Sequence, residues 1–165
     1  MRVVRHPFQI GPLPIDFPAL VFFDKYGVAD DVDGRFDALS LIVALVMRKL
    51  KLLDDDGKAL SQQLFDSMFA DMDLTLREMG AGDIGVSKRV RAMAEAFMGR
   101  LQSYVDAIDN NDKKSFSEAL SRNLFRGNET IDPLANGVVD YLFALVTEID
   151  NLPAEQVLAG KLDIK

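Results

Sequence analysis

The segment that most constrains this chain is Ala38–Met47, ALSLIVALVM, an apolar run with no charge in it. Wound as a helix rising about 1.5 Å per residue, it covers roughly half of a bilayer's ~30 Å hydrocarbon core, too little to span it. Arg35 and Asp37 stand before the run, and Arg48, Lys49 and Lys51 close behind it. A helix over residues 35–51 that is apolar nearly all round must be covered on every side, which places it at the centre of the fold.

The covering elements read as helices too. No segment alternates apolar and polar residues as a half-buried strand does, whereas several repeat at helical spacing. Pro18 opens a short helix, 19–26, that Gly27 ends. Residues 29–34, ADDVDG, form a turn whose aspartates can cap the central helix. Asp54, Asp55, Asp56 and Gly57 read as an acidic break. Helix 58–79 follows, with Leu64, Phe65, Met68, Phe69, Met72, Leu76 and Met79 along one stripe, and Gly80 is its C-terminal cap. Helix 87–109 starts at Ser87, helix 113–125 is capped by Asp112, and Asp132 with Pro133 opens helix 133–149. Pro153 begins a last turn through Leu158. The fold class is therefore all-α, a single-domain bundle of about six helices over residues 19–165. Four of the six prolines, Pro7, Pro12, Pro14 and Pro18, fall in residues 1–18, so that stretch is expected to be an irregular arm.

Composition removes whole classes of function. The 165 residues have no cysteine and a single histidine, His6. Disulfides, thiolate metal sites, cysteine nucleophiles, His-centred triads and multi-His zinc sites are excluded. A net charge of −7 argues against general nucleic-acid binding. The start MRVVRHPF lacks the apolar region of a secretory signal. No cofactor or metal is expected.

The chemistry-bearing stretch is Asp71–Arg100. Gly80, Gly82 and Gly85 spell GxGxxG, but a dinucleotide cradle needs a preceding strand, and here the motif follows a helix. The glycines read instead as the reversal of a helical hairpin. Asp71 and Glu78 share one stripe of the first helix, and Asp73 is spaced to pair with Arg77. The second helix has a large apolar face, Val86, Val90, Met93, Phe97, Leu101, Tyr104 and Ile108. It has also a small stripe, Ala92, Ala96, Gly99 and Ser103, which predicts close packing on a second side. Arg89 and Arg100 lie on the border of these faces and need partners; Asp71, Glu78 and Asp83 are the local candidates. Lys88, Arg89, Arg91 and Arg100 are alternatively charges offered to another molecule. In helix 133–149 the apolar arc is broad: Val139 and Phe143 either pack on a neighbouring helix or line an apolar groove for another chain.

These residues resemble a known family. Asp33-Gly34-Arg35-Phe36-Asp37, Leu64-Phe65, Met68-Phe69, Asp71-Met72-Asp73, Leu76 through Asp83, Lys88-Arg89-Val90, Ala96 through Arg100 and Arg122-Asn123-Leu124 are similar to the ubiquinol–cytochrome c chaperone family over about residues 20–160. Met98 departs from an aromatic residue usual there, and residues 1–18 depart from an expected N-terminal helix.

The resemblance implies an assembly factor for respiratory complex III and not an enzyme. It implies cytochrome b as client and a small accessory protein as a further partner. With no evident mitochondrial extension, the bacterial type is implied, cytoplasmic or peripheral at the inner face of the cytoplasmic membrane. The residues it marks for docking are Asp71, Arg77, Glu78, Gly80, Gly82, Asp83, Lys88, Arg89, Arg91, Phe97 and Arg100, to which the broad arc adds Val139 and Phe143. The rival reading is a helical lipid or small-molecule binding protein with an apolar pocket beside Arg89 and Arg100. An enzyme using Asp71 or Glu78 as acid or base ranks below both, because no nucleophile or metal set accompanies them.

Overall fold

The central helix occupies the position its composition demands. In a computed structural model describing residues 19–162, helix α2 (Val32–Leu50) buries Leu41, Ile42, Ala44 and Leu45 on one side and Phe36, Val43, Val46 and Leu50 on the other. Around it lie α1 (Ala19–Asp24), α3 (Asp54–Glu78), α4 (Asp83–Asp109), α5 (Lys113–Asn123), α6 (Val138–Asn151) and α7 (Ala154–Leu158). The described residues contain no strand. None of their helices is long and apolar enough to cross a membrane. The arm expected over residues 1–18 lies outside them.

Two apolar clusters meet at α2. The first joins α1, α5 and α6 through Phe22, Tyr26, Phe116, Leu120, Val139 and Leu142. The second joins α3 and α7 through Leu64, Met68, Met72, Leu76 and Val157. Helix α4 serves both, with Met93 and Phe97 in the second and Tyr104, Ala107 and Ile108 in the first. Four phenyl rings knit α2, α3 and α4 together: Phe69 lies 4.7 Å from Phe65, 6.0 Å from Phe97 and 6.2 Å from Phe36.

Helix starts depart from the sequence reading, each for a local reason. Helix α2 begins at Val32 because the Asp31 carboxylate accepts from the Gly34 N–H at 2.7 Å. Asp54–Gly57 is no break but the first turn of α3. Three carboxylates favour the positive end of a helix dipole. Helix α4 starts at Asp83 after Gly82, so Ser87 is not its cap and Gly85 lies within its first turn. Helix α6 starts only at Val138. Asp132 accepts from the N–H groups of Leu134 and Ala135, making a separate turn, and Gly137 at φ +84 then reorients the chain. The caps expected at Gly80 (φ +86) and Asp112, and the end of α1 before Gly27, are found.

The small stripe expected to pack closely on α4 does not do so: Ala92, Ala96 and Gly99 face solvent, while Met93 and Phe97 turn to α2 and α3 and Tyr104 packs on Phe116 of α5. A Cβ on Gly99 would meet nothing within 4 Å, whereas one on Gly57 would lie 2.2 Å from the Leu50 carbonyl oxygen. Gly99→Ala is thus expected to stabilise by about 1 kcal/mol through helix propensity alone. Gly57→Ala, an identical change in another helix, is expected to destabilise despite the same propensity gain. Thermal unfolding of the two variants checks both signs.

Candidate functional site

The hairpin forms as its glycines predict. Helix α3 ends with the Gly80 N–H bonded to the Arg77 carbonyl and the Ala81 N–H to the Leu76 carbonyl, a turn that needs the left-handed Gly80. Arg77 bridges the turn, holding Asp73 at 2.6 Å and also Asp83 at the start of α4. The tip leaves large apolar side chains uncovered: Ile84 is 89% exposed, Met79 62% and Leu74 56%. Glu78 and Lys88 are exposed beside them, and Arg91 pairs along its own helix with Glu95.

The two border arginines are paired, but across the fold and not within the hairpin. Arg100 reaches Asp37 of α2 at 2.5 Å, and Arg89 reaches Asp33 of α2 at 3.0 Å. Asp71, Glu78 and Asp83 hold neither of them. The hairpin's acids lie at the far side or the tip, while the arginine border of α4 faces the start of α2. A third arginine completes the cluster. Arg126, just beyond α5, bonds both Asp37 oxygens, at 2.5 and 3.1 Å, and lies 3.8 Å from Asp33.

Asp37 is the centre of this arrangement. Its side chain has no exposed surface, and burying a charge unpaired is among the costliest things a fold can do. Two guanidiniums neutralise it, and Arg100 in turn stacks over the Phe36 ring at 5.3 Å. The bond to Asp37 and the nearby Asp33 raise the pKa of Arg126 further above its ordinary range, against a smaller opposing effect of burial. Arg126 is held at φ +51, a left-handed conformation costing a non-glycine residue roughly 1–2 kcal/mol. Beside the cluster, Tyr104 is wholly buried, and burial raises its pKa. Its hydroxyl is out of hydrogen-bond geometry with the neighbouring Asn123 side chain.

Sequence reasoning missed Asp33, Asp37 and Arg126 as a unit. The signal for Asp37 was present: a lone carboxylate opening an apolar run, one turn before Leu41 on a helix buried all round. Arg126 offered none, because its partners are distant in the chain.

The other expected site residues divide by burial. Phe97 and Val139 have no exposed surface and shape the core. Phe143 stands edge-on to Phe116 at 5.5 Å with the Lys113 ammonium over its ring, so it packs on α5. Asp71 is half-buried, with one carboxylate oxygen enclosed and unbonded. Among the described residues no group of His, Asp and Glu is placed to hold a metal. A groove of about 400 Å³ between α2, α3 and α4, floored by Met47, Phe65, Leu101 and Val105, includes neither Arg89 nor Arg100.

Comparison with known proteins places this geometry among relatives. Residues 24–164 match the model of the family described as ubiquinol-cytochrome C chaperone. The chain is 26% identical over 138 residues to the Xenopus laevis ubiquinol-cytochrome-c reductase complex assembly factor 1, covering 83% of this chain and 68% of that protein. The crystal structure of the Cbp3 homolog from Brucella abortus superposes with a TM-score of 0.75 at 34% identity, covering 88% of this chain and 78% of that one.

Asp71 gives a pH-dependent prediction. Burial raises its pKa above the usual 3.8, so the folded state disfavours the carboxylate. A folded pKa above the unfolded one means stability is lost as pH rises from about the usual value through the raised one. Asp71→Asn is expected to melt above the parent protein at pH 7, with the difference shrinking as pH falls towards 4. Melting curves across that range check it.

Proposed function

The chain belongs to the ubiquinol–cytochrome c chaperone family, and from that premise we propose that it holds newly made cytochrome b during biogenesis of the ubiquinol–cytochrome c reductase complex. The family is one of assembly chaperones and not of enzymes. The observation that carries the reading is the family match itself, which runs through α2, the charged hairpin and the C-terminal helices without interruption.

Physical features support a membrane-protein client, the class to which cytochrome b belongs. A membrane-protein client offers apolar helices whose cytoplasmic flanks are rich in Lys and Arg. This chain carries net charge −7 and presents Leu74, Met79 and Ile84 beside Glu78 at the hairpin tip. Leu74 and Glu78, one turn apart on α3, offer apolar contact and acidic attraction on one helix face. Arg89 and Arg100 already hold carboxylates within the chain, so the tip is the better docking candidate than the arginine border. Lys88 and Arg91 remain exposed for an accessory assembly protein or for acidic headgroups at the inner face of the cytoplasmic membrane.

A photo-cross-linking residue at position 84 tests the proposal in cells making complex III. Cytochrome b is expected in the cross-linked product, and the complex is expected to fall in a deletion strain. No such product, together with normal complex III in that strain, overturns it.

A further inference from the structure

We propose that residues 126–137 form a latched strap, released from the helical frame by opening the ion pairs of Arg126 while the frame stays intact. The proposal does not depend on which client the protein holds.

The argument starts from redundancy. Both carboxylates held by Arg126 have a second arginine: Asp37 keeps Arg100, and Asp33 keeps Arg89. Those two arginines come from α4, which packs along α2. When Arg126 leaves, Asp37 gives up the bond to Oδ2 but keeps Arg100 on Oδ1, and Asp33 keeps Arg89, so neither acid loses its counter-charge and the heavy penalty for an unpaired buried charge does not arise. Release of Arg100 would be different, because its side chain is 14% exposed against 49% for Arg126. The solvent is already at the Arg126 guanidinium and can take it over.

The backbone of the strap points the same way. Its hydrogen bonds run within its own neighbourhood: Gly127 N–H to the Ser121 carbonyl, Asn128 to Phe125, Ile131 to Asn128 and Asn136 to Asp132. Among the described residues none of its backbone groups bonds to α1, α2 or α4. What ties it to the frame is Arg126 at one end, apolar contact through Ile131 and the buried Pro133, and at the other end the Val139 and Tyr141 N–H groups of α6 on the Pro133 and Gly137 carbonyls. Ile131 packs against the first core cluster and would sit 3.4 Å from a Cβ on Gly27, between the buried Tyr26 and Val28. Left-handed Arg126 and Gly127 at one end and left-handed Gly137 at the other bracket the segment with bends. Lifting it uncovers apolar surface at the α1–α2 corner and leaves both α2–α4 ion pairs in place.

Hydrogen exchange of the full chain tests the latch. In Arg126→Gln, amides of residues 128–137 are expected to exchange roughly tenfold faster, as loss of one charged hydrogen-bonding group allows, with α2 and α4 unchanged. Unchanged protection of 128–137 in the variant overturns the proposal, as does equal acceleration in α2 and α4. Failure of Arg126→Gln to fold contradicts the claimed redundancy.

Discussion

A carboxylate sealed inside a helical bundle must find cations before the bundle can close, and Asp37 sets that requirement here. It sits on the helix where the two apolar clusters meet, with its side chain fully buried. The two arginines that answer it come from α4 and from the turn after α5, far apart in the chain. Satisfying one side chain therefore fixes the register of α2 against α4 and the path of the chain beyond α5. Phe36, the next residue, carries the same contact into the ring cluster of α3 and α4. The other end of α2 is pinned in reverse sense: Arg48 bonds Asp109 at 2.7 Å and Asp150 at 2.8 Å.

The helices themselves were legible because their information is local. Apolar spacing, Gly80, Asp112 and Pro153 each act within a turn or two, and each was read correctly. Starts were harder. Asp54–Asp56 are equally at home in a loop and in the first turn of a helix, and only the burial of Gly57 against the Leu50 carbonyl shows which. Asp132–Pro133 is a true helix-start signal spent on a single turn, because Gly137 supplies a second bend before α6. The partners of Arg89 and Arg100 were not legible at all. Spacing along a hairpin nominates neighbours in sequence, whereas Asp33 and Asp37 become neighbours only once α2 lies along α4. The small stripe on α4 misled for a related reason: small residues permit close approach but do not demand it.

This division shapes what the surface can do. The arginine border that looked like an offered charge is largely spent inside the chain, and the GxGxxG is a turn between antiparallel helices. The hairpin tip is open, with Leu74, Met79 and Ile84 exposed, and it stands on a frame whose buried carboxylate is met internally. The buried carboxylate is answered inside the frame, while the chain as a whole stays acidic.

The most direct measurement is a double-mutant cycle between Asp37 and Arg100, using Asp37→Asn and Arg100→Gln singly and together in denaturant unfolding. If the buried carboxylate organises the fold through that arginine, the coupling energy is expected to be about 2 kcal/mol, in the range for residues in one ionic network. Additive losses, with coupling below roughly 0.5 kcal/mol, would contradict the account.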